Sequence, residues 1–163
     1  MLKLGKLADY GTMIVTVLAA EPERLYSAQE LATHTHVAAP TVSKLLKQLT
    51  NGGIVESLRG ARGGYKLARP PAEITVADVI AAIDGPIGLT QCSVHKGDCA
   101  VESTCGVRSN WRLINTAIHQ ALKSVSLAEM AKPLRRPGES PGPESFVVTF
   151  HKTLDSGLRR NDV

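Results

Sequence analysis

The sequence predicts a mainly α-helical fold: a winged helix-turn-helix followed by a long C-terminal helix. Three observations predict it. Two short helical patterns, joined by a tight turn, occupy residues 28–51. Two strand-like runs flank a turn rich in glycine and arginine at residues 59–64. A long amphipathic pattern then runs from Val107 to Val125.

The elements follow in order. Residues from about Lys6 to Ala20 are apolar around most of a helical wheel, which predicts a helix buried on most sides. Glu21-Pro22 ends it, because proline restricts the residue before it. Ser27 with Glu30 is a capping-box pair that opens a short helix, about Ala28 to Thr35. A turn through His36–Ala38 leads to a second helix, about Ala39 to Asn51, with Pro40 tolerated in its first turn. Val42, Leu45, Leu46 and Leu49 form its apolar stripe, and Thr41, Ser43, Lys44, Lys47 and Gln48 its polar face. Gly52-Gly53 stops it.

Two short helices alone describe an ordinary helical hairpin as well as a helix-turn-helix. The next piece decides between them. Ile54–Leu58 and Tyr65–Ala68 read as strands around Arg59-Gly60-Ala61-Arg62-Gly63-Gly64, a basic hairpin or wing. Such a wing places Arg59 or Arg62 at the minor groove or its phosphates. No Walker pattern and no strand-GxGxxG-helix context accompanies these glycines, so a nucleotide site is a weak reading.

Composition agrees. With 163 residues the chain has room for one domain with a real core. Aromatic residues make up only 4% and apolar residues 43%, so the core is built from Leu, Ile, Val and Ala. The net charge of +4 is clustered: between His36 and Arg69, Lys44, Lys47, Arg59, Arg62, Lys66 and Arg69 face the single acid Glu56. Clustered positive charge points to nucleic acid. No apolar run reaches bilayer length, and the first residues lack a continuous signal core. A cytoplasmic protein is expected.

Thr75 opens a further capped helix to Asp84, stopped by Gly85-Pro86. Then all three cysteines, Cys92, Cys99 and Cys105, fall in one polar, irregular segment with spacing C-x6-C-x5-C. Thiolates hold soft centres, either zinc or an iron–sulfur cluster. Structural zinc usually shows close C-x2-4-C pairs, and none is present. The wider gaps suit a loop wrapped around a cluster. A thiol redox sensor needs one or two cysteines, and unrelated buried cysteines would be scattered. An odd count in a reducing compartment argues against a disulfide framework. For a fourth ligand the spacing leaves His95, Asp98, Glu102, or a residue from elsewhere such as His119. A nucleophile pair of Cys99 or Cys105 with His95 lacks a third orienting residue, so no enzyme is expected.

Val107 to Val125 would span roughly 28 Å as a helix. Trp111, Ile114, Ile118, Leu122 and Val125 recur at steps of three and four, like a coiled-coil seam. So long a helix has little of its own protomer to pack on, and a partner helix is expected. Ser126 with Glu129 caps a final turn that ends at Lys132-Pro133. The remainder, rich in proline and without periodicity, reads as a disordered tail with one strand-like run, Phe146 to Phe150.

These motifs together resemble a known family, the winged-helix iron–sulfur transcription regulators of the IscR and NsrR kind. The resemblance rests on residues Leu7–Met13, Pro40–Leu49, Arg59–Tyr65 and Ile74–Gly85 with the three cysteines, and covers about residues 1 to 132. It is closest to the branch that regulates the SUF iron–sulfur assembly system. The resemblance implies a homodimer that binds double-stranded operator DNA and holds a [2Fe–2S] or [4Fe–4S] cluster. Cys92, Cys99 and Cys105 would be ligands. IscR-like members complete the set with a His three residues after the last cysteine; here that position is Arg108. NsrR-like members use an Asp of the first helix of the other subunit, which matches Asp9, with His95 the runner-up.

The expected organisation is therefore a DNA-binding domain over 1–85, a cluster-binding loop over 86–106, a dimerisation helix over 107–132 and a tail over 133–163. Thr41, Ser43, Lys44 and Lys47 are expected toward the major groove, with Arg59 and Arg62 on the wing. The expected function is a cluster-gated regulator, a repressor of iron–sulfur assembly genes. The alternative is a zinc-stabilised or thiol-redox winged-helix regulator without a cluster.

Overall fold

The structure, a computed structural model, describes residues 4–60, 63–94, 97 and 99–132, which fall within one compact unit. Arg62, His95, Asp98 and the tail from 133 onward lie outside the described residues. The readings of Arg62 as a wing residue, of His95 and Asp98 as ligands and of 133–163 as a disordered tail lie there too.

Helix α1 (Lys6–Ala20) buries Ala8, Ile14, Val15, Leu18 and Ala19 on one face. Its opposite side is more open than the apolar pattern predicts, with Met13 40% exposed. Helix α2 (Ala28–Thr35) starts at the Ser27 capping box, in which the Glu30 N–H donates to Ser27 Oγ at 3.1 Å and the Ser27 N–H donates to Glu30 Oε2 at 2.7 Å. His36 ends α2 in the left-handed region at φ +55° and turns the chain toward α3 (Ala39–Asn51). The α3 stripe of Val42, Leu45, Leu46 and Leu49 is fully buried against α1 and α2.

Strands β1 (Val55–Leu58) and β2 (Gly64–Leu67) pair antiparallel, with Val55 opposite Leu67 and Leu58 opposite Gly64. Tyr26 extends this small sheet by exchanging both main-chain hydrogen bonds with Tyr65, at 3.0 and 2.8 Å. A single 3-10 turn (Pro71–Glu73) precedes α4 (Val76–Asp84), whose Thr75 and Asp78 make a second capping box.

The cysteine segment is not wholly irregular: residues Gln91–Val94 form one helical turn, α5. Helix α6 (Arg108–Lys123) is shorter than the apolar periodicity suggests. The chain has to return to the core there. The Val76 N–H donates to the Val125 carbonyl at 3.0 Å and the Leu127 N–H to the Ile74 carbonyl at 2.9 Å. Those two bonds flank a bridge of Ser126, which is extended, with Thr75, and the chain leaves the helix there. The short α7 (Leu127–Met130), opened by the Ser126/Glu129 capping box, then places Leu127 fully buried in the common core beside α1.

Candidate nucleic-acid interface and cysteine segment

Helix α3 turns 100° per residue, so the face opposite its buried stripe is fixed by the core. Ser43, Lys44 and Lys47 stand exposed on it and Thr41 is half-buried at its edge. Gln48 departs from that face. Its Nε2 donates to the Ile83 carbonyl at 3.2 Å, on the last turn of α4. A helix leaves its final carbonyls without intrahelical partners, and Gln48 supplies one. Arg59 is exposed at the end of β1, beside Gly60 at φ +118°. Among the described residues no acid pairs with Lys44, Lys47 or Arg59, whereas Lys66 is held by Glu56 at 3.1 Å. Lys44 and Lys47 on α3 and Arg59 at the end of β1 are thus exposed cations without an acidic partner among the described residues.

The cysteine segment hangs between α4 and α6. All three cysteines are free thiols and half-buried: Cys92 on α5, Cys99 in the following turn, and Cys105 just before α6. Cys92 Sγ lies 3.3 Å from Thr90 Oγ1. As a donor set, three thiols on one segment fit a thiophilic centre. Among the described residues no three His, Cys, Asp or Glu side chains are gathered closely enough to hold a metal ion.

The other ligand candidates lie in different settings. Asp9 is exposed in the first turn of α1. It borders an open groove of about 360 Å³ lined also by Met13, Val17, His34 and Met130. His119 is half-buried on α6. Glu102 is 9% exposed and already engaged: it pairs with Arg108 at the start of α6 and accepts the Gly97 N–H.

Asn115 is a residue that sequence reasoning missed. Its Oδ1 accepts the Leu89 N–H at 3.1 Å and its Nδ2 donates to the Ile87 carbonyl at 3.2 Å. It thereby ties the chain entering the cysteine segment to the middle of α6. The only sequence signal is an amide placed between the apolar residues Ile114 and Ile118 of that helix.

Helix α6 also presents an uncovered apolar face. Trp111 is 40%, Ile114 44% and Leu113 72% exposed, and none of the helix's residues is fully buried. The expected seam divides. Ile118 is half-buried, and Leu122 packs onto the protomer's own core. Leu113, Ile114, Ala117 and Ala121 look outward, with Trp111 at the margin.

The profile of the Rrf2 family, described as iron-dependent transcriptional regulators, matches residues 4–133. The chain belongs to the Rrf2 family. This Rrf2 chain is 30% identical over 133 residues to the HTH-type transcriptional regulator IscR of Vibrio campbellii, covering 78% of this chain and 77% of that protein. Among solved structures it resembles CymR, the global cysteine regulator of B. subtilis, with a TM-score of 0.64 and 31% identity over 80% of this chain and 97% of that one. It also resembles IscR of T. potens, with a TM-score of 0.61 and 30% identity over 86% and 94%. The Rrf2 chain is therefore a winged-helix, DNA-binding transcriptional regulator and not an enzyme. Among its described residues no helix is long and apolar enough to cross a membrane.

Proposed function

We propose that this Rrf2 protein is a homodimeric repressor of iron–sulfur assembly genes whose operator binding is gated by an iron–sulfur cluster. The observation that carries this reading is the concentration of all three cysteines, free and half-buried, in the segment joining the winged domain to α6. Cys92, Cys99 and Cys105 would hold the cluster. The partner's Asp9 would complete the set, and His95 is the second candidate. A bound cluster supplies a redox- and iron-sensitive group whose presence stabilises one arrangement of the segment.

The exposed cations of α3 and Arg59 serve the DNA, with Arg62 assigned to the wing by its place in the sequence. In this reading 1–85 reads operator DNA, 86–106 senses and 107–132 pairs the protomers through the outward face of α6. A dimer spaces its two recognition helices by the geometry of that pairing, so a change at the cysteine segment changes the fit to two half-sites.

A second reading is a zinc-stabilised or thiol-redox regulator without a cluster. The likeness to a cysteine regulator and the separation of the three thiols among the described residues favour its thiol-redox form. Anaerobic purification with a visible spectrum and iron, sulfide and zinc analysis separates the two. A brown protein containing iron and sulfide supports the cluster. A colourless protein with one zinc per chain, or with no metal and reversible thiol oxidation, supports the second reading.

A further inference from the structure

Arg108 stands at the first position of α6, where a positive charge opposes the helix dipole. Val107, the preceding residue, gives no side-chain cap, and the first turn of α6 contains no acid. The local helix therefore gives no reason for an arginine here. The reason lies across the loop. The Arg108 guanidinium pairs with Glu102, whose side chain is 9% exposed and whose other oxygen accepts the Gly97 N–H. Gly97 sits at φ +96°, a backbone that L side chains rarely adopt. One carboxylate thus ties together the turn before Cys99, the turn between Cys99 and Cys105, and the start of the helix after Cys105.

We propose that the Glu102–Arg108 pair is a clamp that positions the cysteine segment, and that Glu102 is a positioning residue and not a ligand. The clamp holds the Cys99 and Cys105 turns in place in the metal-free protein and keeps α6 docked behind them. Glu102 is buried while Arg108 stays 30% exposed. Removing Arg108 leaves a buried carboxylate without its counter-charge, and removing the carboxylate charge leaves Arg108 nothing to hold. Either half removed should therefore free the same turns. The clamp's link to cluster binding rests on the cluster reading above, but the clamp itself does not.

The test uses full-length, metal-free protein and the rate at which the aromatic disulfide reagent DTNB labels its thiols, with circular dichroism confirming the fold. Glu102→Gln and Arg108→Ala should each raise the rate of labelling about tenfold, the change that ~1.4 kcal/mol of lost clamping produces. Arg108→Lys should fall between them and the parent. The exchanged pair, Glu102→Arg with Arg108→Glu, should label more slowly than either single variant. Unchanged rates in both single variants, or an exchanged pair that labels as fast as the two losses combined, would overturn the clamp. So would Glu102→Gln abolishing iron and sulfide uptake while Arg108→Ala keeps it, since that asymmetry marks a ligand. If the parent takes up no iron, the cluster reading fails, and the labelling rates still decide the clamp.

Discussion

Gln48 and Ile83 are joined by a hydrogen bond that links α3 to α4, the helix leading into the cysteine segment. The Gln48 amide lies 3.2 Å from the Ile83 carbonyl, one residue before the end of α4. Two residues later Gly85 turns the chain at φ +86° toward the cysteines. The last turn of α4 is thus in direct contact with both α3 and the chain that enters the cysteine segment. Gln48→Ala leaves the Ile83 carbonyl without its side-chain donor and should cost about 1–3 kcal/mol in urea unfolding. Gln48 is turned inward, so the same variant should leave the salt dependence of DNA binding unchanged.

Lys44 and Lys47 should behave in the opposite way. Both are exposed and unpaired among the described residues, so their truncation removes little that packs. Each phosphate left without its lysine reduces the slope of log K against log salt by about 1. Lys44→Ala and Lys47→Ala should therefore weaken binding to all sequences and flatten the slope, with stability nearly unchanged. Titrations from low to high salt check this, and an unchanged slope in both would move the phosphate-binding surface elsewhere on the protein.

Gly52, the residue that ends α3, lies against Ala82 of α4. A Cβ placed there would lie 2.5 Å from the Ala82 Cβ, although the backbone itself, at φ −80°, accepts any residue. Gly52→Ala should destabilise by about 1–3 kcal/mol through overpacking. Adding Ala82→Gly should restore part of the loss, and chemical denaturation of the single and double variants measures the coupling.

The helices that frame the site were legible because their signals are local. Ser27/Glu30, Thr75 and Ser126/Glu129 mark starts that depend on three or four residues, and the α3 stripe has one period throughout. Interactions made across the chain were not legible in that way. Gln48 fits the polar face of α3 by composition and turns inward because a carbonyl on α4 stands opposite it. Leu122 and Val125 fit the seam by period. The seam divides because the bonds of 125–127 to 74–76 fix how α6 sits on the core. Glu102 could be named a candidate ligand from the sequence, but its engagement by Arg108 depends on the path of the loop.

Asp78 gives the fold an acid-sensitive joint. Partial burial raises its pKa, but the Thr75 N–H and hydroxyl bonds to its carboxylate outweigh this and hold it below the ordinary 3.8. A lowered folded value means that the carboxylate contributes its full stability above the ordinary value. That contribution is lost as pH falls through the lowered one. Thermal unfolding between pH 6 and pH 2.5 should show a decline in the parent at the acid end. Asp78→Asn should be less stable at neutral pH and show a shallower decline there.

The outward face of α6 is the sharpest test of pairing between protomers. Leu113, Ile114, Ala117 and Ala121 place two large apolar residues beside two small ones, which lets a second helix approach closely. Trp111, the single tryptophan of the chain, stands at the margin and reports on cover. In a dimer its emission should be blue-shifted and should move to the red on dilution. Ile114→Asp puts a charge into the centre of that face without touching α3 or the cysteines. It should sediment as a monomer, hold its emission at the red end at every concentration, and bind a two-half-site operator far more weakly. The drop in affinity is the avidity that linking two half-sites supplies, commonly a factor of about 10² or more. A variant that still sediments as a dimer would show that the protomers pair through a different surface, and the groove beside Asp9 and Met130 would be the next to substitute.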